Sequence, residues 1–101
     1  MAVDVPEVDE VKALLRNLGE KPLIDRIDSF VTLNSGLESK RGEDFIRVSI
    51  LGFLEGMLVS LRRKYPENPD VERLYLKVSS KRRELDELFR KPAMQNLREI
   101  P

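Results

Sequence analysis

With no histidine and no cysteine among its 101 residues, this chain must draw any chemistry from carboxylates, ammonium and guanidinium groups, hydroxyls and backbone. The commonest general base, the commonest metal ligand and every thiolate nucleophile are missing. Carboxylate pairs occur at Asp25/Asp28, Glu43/Asp44 and Glu84/Glu87. Acid–base work needs a carboxyl whose proton affinity is raised by apolar surroundings. Each of these pairs lies among polar neighbours and reads as a helix-surface or helix-start acid. A di-metal centre in a helical bundle needs Glu-x-x-His motifs, and no phosphate-cradling glycine loop, nucleophile elbow or dinucleotide fingerprint is present. The expectation is a protein that is not an enzyme, holds no cofactor or metal, and takes no small-molecule substrate.

Two patterns remain that could act by binding. Gly52, Gly56 and Ser60 recur at i, i+4 and i+8, flanked by Leu51, Phe53, Met57 and Val59. Two glycines inside a helix cost about 1 kcal/mol each relative to alanine. Close approach of another helix backbone is the usual compensation. That helix could belong to the same bundle, to another protein or to a second copy of the chain, and a ligand pocket over the glycines is a further reading. The candidate interface is Gly52, Gly56, Ser60, Phe53 and Val59, joined by Leu74, Val78 and Leu85 from the next helical seam. The second pattern is basic: Arg62, Arg63, Arg73, Lys77, Lys81, Arg82 and Arg83 could form a stripe for nucleic acid or another polyanion. Arg62, Arg63 and Lys64 also fall where a helix's negative end attracts cations, and no aromatic or glycine interleaves with the stripe.

Composition frames both patterns. Apolar residues make up 41% and charged residues 36%, which suits amphipathic helices with one apolar stripe and a salt-rich outer face. Net charge is zero but polarised: residues 1–50 carry 7 basic and 10 acidic side chains (−3), and residues 51–101 carry 11 and 8 (+3). The opening MAVDVPEVDE lacks the basic and apolar regions of a secretory signal, and no run approaches the roughly 18 apolar residues of a membrane span. A cytoplasmic protein is expected, with organelle import through a removed transit peptide left open.

The elements that must position these residues follow from periodicity. Pro6 suits a first helical turn, Val8, Val11, Leu14, Leu15 and Leu18 trace one face, and Gly19 stops it, giving a helix over 6–18. Leu23, Ile24, Ile27, Phe30, Val31 and Leu33 give a second over 22–34, and residues 37–42 read as a polar loop. A third helix over 43–65 contains the densest apolar run. From Ile50 to Leu61 only Glu55 and Ser60 are polar, so nearly its whole circumference requires burial and it should be central. Asn68 can cap a fourth helix beginning at Pro69, whose apolar positions Val71, Leu74, Val78, Leu85, Leu88 and Phe89 are interrupted at the seam by Lys81 or Arg82. Lys91-Pro92 would end it near residue 90, leaving a short tail with Met94, Leu97 and Ile100.

The fold expected is all-α, one antiparallel four-helix bundle over residues 1–101. A second arrangement fits part of the same sequence, because Ile46, Val48 and Ile50 alternate with polar residues and Phe30 to Leu33 is β-prone. That α+β form would pair a hairpin of 30–34 with 45–51. The functional reading is a small helical interaction module that binds another protein or a second copy of itself, with the nucleic-acid-associated regulator as alternative.

Overall fold

The computed structural model describes residues 4–35 and 42–99, with side chains as far as Leu88. Four helices follow one another: α1 (Pro6–Leu18), α2 (Lys21–Ser35), α3 (Glu43–Lys64) and α4 (Pro69–Glu99). They form an all-α four-helix bundle. The segments 30–34 and 45–51 are both helical, so the hairpin alternative is overturned. Tertiary packing overrides the β propensity of Phe30 to Leu33: the Phe30 ring stacks on Phe53 of α3, centroids 4.3 Å apart and planes 9° from parallel. Farther along α2, the Asn34 amide donates to the Phe30 carbonyl at 2.9 Å and the Ser35 hydroxyl to the Val31 carbonyl at 2.9 Å.

Helix ends are set by local chemistry. Gly19 takes the left-handed conformation at φ 72°. Its N–H donates to the Arg16 carbonyl at 3.2 Å, and the Glu20 N–H reaches the Leu15 carbonyl at 2.9 Å. This paired closure satisfies two terminal carbonyls and needs glycine at the αL position. The reversal occupies only Gly19 and Glu20, so α2 folds directly back along α1, where Lys12 pairs with Asp28 at 2.6 Å. At α4, the Asn68 side-chain oxygen accepts from the N–H groups of Asp70 (2.9 Å) and Val71 (3.1 Å). That is the N-cap expected of an asparagine before a first-turn proline.

Two expectations are corrected. The fourth helix does not stop at Lys91-Pro92 but continues to Glu99. Proline's fixed φ is itself helical, and α4 runs through Pro92 despite the lost i→i−4 hydrogen bond and the ring clash that a mid-helix proline brings. The side chains of Met94 and Leu97, Ile100, and most of the polar loop at 37–42 lie outside the described residues. Leu33 does not share the inner face of α2, being 74% exposed. At 100° per residue it stands about 120° away from the fully buried Ile27, and buried Asn34, seven residues on, takes the inward place.

The core joins all four helices: Val11, Leu14 and Leu15 from α1, Ile27 from α2, Ile46, Ile50, Leu51, Leu54, Met57, Leu58 and Leu61 from α3, and Val71, Leu74, Val78 and Leu85 from α4. As its composition demands, α3 is the central element and packs against each of the other three. The longest element is α4, whose 31 residues span about 46 Å at 1.5 Å each.

If α3 is the keystone, Leu58→Ala, at a position with no solvent exposure, should lower unfolding free energy by about 2–5 kcal/mol. Leu76→Ala, on the 53%-exposed outer side of α4, should stay within about 0.5 kcal/mol of the parent. Urea denaturation midpoints check both.

Candidate protein-binding face

The outer side of α3 carries Phe45, Ser49, Gly52, Phe53, Gly56 and Ser60 within about 100° of its circumference. Leu23, Arg26, Phe30 and Leu33 of α2 run beside them. A depression of about 310 Å³ is lined by Leu23, Arg26, Gly52, Phe53, Gly56, Met57 and Ser60. A shallower one of about 340 Å³ continues over Asp25, Ser29, Phe30, Leu33 and the other side of Phe53. The stacked Phe30–Phe53 pair forms the ridge between them.

Among the described residues no helix crosses at Gly56. A Cβ added there would meet nothing within 4 Å, so the close intrachain packing expected at this glycine is absent. At Gly52 the nearest atom is the Arg82 Cδ, 3.7 Å from where a Cβ would stand, an ordinary contact. Gly52, Gly56 and Ser60 are therefore the floor of an open surface groove, and Phe53 is its half-buried wall. Val59 sits apart, in a depression with Arg62, Arg63 and Tyr65. Leu74, Val78 and Leu85 are buried in the chain's own core; facing α3 inside the hairpin, they offer no surface to a partner. The contributions of α2 were not singled out by sequence, although the position of Leu33 off the inner face was a signal that could have found them.

The interrupted seam of α4 resolves into one half-buried guanidinium. Arg82 lays its stem over Gly52 and donates to Glu55 of α3, and to Asp86 at 2.6 Å. Burial alone would raise the Glu55 carboxyl, but hydrogen bonds from Arg82 and then Ser79, with the charges of Arg82 and Arg83, hold it below its ordinary range. Arg83 donates to the Ser79 hydroxyl at 2.8 Å. Three more cations of the basic stripe are paired. Arg62 pairs with Glu72 at 2.9 Å and lies over the Tyr75 ring, Arg73 pairs with Asp70 at 3.4 Å, and Lys77 pairs with Glu10 at 2.7 Å. Arg63 and Lys81 are exposed and carry no ion pair among the described residues. The seven cations thus lie along a surface already threaded with carboxylates.

A second charged cluster ties the α1–α2 turn to the end of α3. One oxygen of Glu20 accepts from the Lys64 ammonium at 2.5 Å and from the Tyr65 hydroxyl at 2.6 Å. The hydrogen bond from Lys64, then that from Tyr65, lowers the Glu20 carboxyl, while the same contacts raise Lys64 and Tyr65.

Comparison with known proteins bears on the whole chain. A family model described as "Protein of unknown function (DUF3216)" matches residues 8–99. Among solved structures the chain is similar to a singleton protein, PF1176, from P. furiosus, with 41% identity and a TM-score of 0.77. That match covers 81% of this chain and 89% of the other. No curated protein matches. Among the described residues no helix is long and apolar enough to cross a membrane.

The Glu20 cluster gives a pH dependence of defined sign. A carboxyl lowered from 4.5 contributes stability that is complete above that pH and is lost as pH falls through the depressed folded value. Lys64, raised from 10.5, and Tyr65, raised from 10.0, contribute stability that is complete below those values and is lost as pH rises through the raised ones. Thermal melts should therefore show a plateau between about pH 5 and 9.5 with a fall on each side. Glu20→Gln should shallow the acid limb without abolishing it, because Glu55 is lowered too, and Tyr65→Phe should shallow the alkaline limb.

Proposed function

The chain belongs to this DUF3216 family, and from its outer face we propose that it is a small, non-enzymatic protein–protein interaction module that pairs with a second copy of itself through the α2–α3 groove. The observation that carries this reading is Gly56. A mid-helix glycine costs about 1 kcal/mol relative to alanine, and among the described residues nothing gains from its missing side chain. Its φ is not left-handed, and among the described residues no helix crosses it and, its own helix's backbone aside, no atom comes within 4 Å of its absent Cβ. A contact from outside the chain is what such a position suits.

The rim of the groove argues for a second copy as occupant. Asp25 and Arg26 stand side by side there, so a two-fold axis over the groove would set each copy's Arg26 near the partner's Asp25, the self-complementarity an isologous interface requires. The apolar ridge of Phe30, Phe53 and Leu33 supplies surface to bury. Laid side by side, α2 and α3 present roughly 500–600 Å² per copy, at the low end for specific interfaces. The pairing is accordingly reversible and concentration-dependent. A polyanion would meet Arg62, Arg73, Lys77 and Arg82 already held in five ion pairs, which makes nucleic acid the weaker partner.

Light scattering after size exclusion, over a hundredfold range of concentration, should show mass rising from monomer toward dimer. Gly56→Glu should hold the chain monomeric throughout and leave its melting temperature within a few degrees of the parent, since the new side chain meets open space. A parent that stays monomeric, or a Gly56→Glu chain that still dimerises, would sink the proposal.

A further inference from the structure

Of the residues that line the two depressions of the α2–α3 groove, Asp25 and Arg26 are the only charged ones, and they are of opposite sign. Both are exposed, and among the described residues neither makes a hydrogen bond or an ion pair. Their neighbour Asp28 is by contrast held by Lys12 of α1 at 2.6 Å. Arg26 lines both depressions and so stands beside Gly56. Asp25 lines only the one that runs over Phe30 and Leu33.

Successive residues of a helix are 100° apart around its axis and only 1.5 Å apart along it. The two charges therefore lie side by side across α2, at one level of the groove. A two-fold axis standing on the groove reverses the direction of every element it relates, so α2 meets its copy antiparallel. When that axis passes at the level of residues 25 and 26, the carboxylate of one copy faces the guanidinium of the other, twice over. A groove edged by one sign of charge alone would set like charges together under the same operation.

We infer that Asp25 and Arg26 are the specificity-determining residues of the groove: they admit a second copy in one antiparallel register and reject other occupants. This rests on the groove pairing proposed above, and it adds the orientation of the copies and the side chains that set it. The apolar ridge of Phe30, Phe53 and Leu33 supplies surface to bury but little discrimination, because any apolar face of similar shape would fit it. Exposed ion pairs add little affinity each. Their effect is on partner choice, since like charges set opposite one another, or charges left unpaired against the ridge, cost affinity that the reciprocal pairs do not. A slip of one helical turn, about 5.4 Å, would leave all four charges unmet and is disfavoured in the same way.

The test is sedimentation equilibrium on two variants of the intact chain, first separately and then mixed. Arg26→Glu places two acids at the axis and Asp25→Lys places two bases there, and both exchange one good helix former or surface residue for another. Each variant alone should pair about tenfold or more weakly than the parent, and their equimolar mixture should form a heterodimer with close to the parent's affinity. Circular dichroism checks folding. Should either single variant fail to fold, the chain carrying both substitutions decides, since it should pair with itself and not with the parent. Single variants that pair alone as tightly as the parent, or a mixture no tighter than its components, would overturn this assignment, and a monomeric Gly56→Glu would then leave the groove pairing itself standing. A parent that stays monomeric would remove both.

Discussion

The burial of α3 is the constraint on which the rest of this structure depends. A 22-residue helix with an apolar run from Ile50 to Leu61 broken only by Glu55 and Ser60 cannot float one side in water as an ordinary amphipathic helix does. It has to be surrounded, and the short reversal at Gly19-Glu20 together with the Asn68-capped turn brings α1, α2 and α4 around it. Each neighbour needs only a narrow apolar stripe: Val11, Leu14 and Leu15 on α1, Ile27 on α2, and Val71, Leu74, Val78 and Leu85 on α4. That explains why the outer helices are so heavily charged without loss of a core. The arc of α3 left uncovered among the described residues carries Ser49, Gly52, Gly56 and Ser60 beside Phe45 and Phe53.

Charge pairs then fix how the surrounding helices are oriented. Lys12 with Asp28 aligns α1 with α2, Lys77 with Glu10 ties α4 to α1, and Arg82 with Glu55 locks α4 to α3. Exposed pairs of this kind each contribute little stability, and their value here is in setting register. The half-buried Arg82 is the exception. With its stem over Gly52 and its guanidinium held between Glu55 and Asp86, it stands in the α3–α4 seam in place of an aliphatic side chain. It also separates the small-residue strip from the α4 face, leaving Gly56 rather than Gly52 facing open space.

Much of this was legible in the sequence, for identifiable reasons. Pro6, Gly19, Asn68 and Pro69 are local signals whose chemistry acts within a few residues, so three helix boundaries could be read directly. The centrality of α3 followed from composition alone. What could not be read was long-range. Phe30 to Leu33 has β-prone side chains, and packing of α2 on the core, with Phe30 against Phe53 and Val31 beside it, makes a helix the better state. Pro92 is a strong breaker by propensity, yet the helix runs past it to Glu99. The glycine strip announced a close contact but could not say whether the contact lay inside or outside the chain, because that depends on which neighbours occupy the far side.

The central claim, that the face uncovered around Gly56 serves a second copy of the chain, is tested most directly by paramagnetic broadening between copies. A chain carrying a nitroxide at Ser29→Cys, the sole cysteine in that variant, is mixed with unlabelled, isotope-enriched chain. Intermolecular pairing through the groove predicts broadening confined to amides of residues 23–33 and 49–60. Broadening centred on the outer side of α4, or none at concentrations where the chain is dimeric, would contradict it.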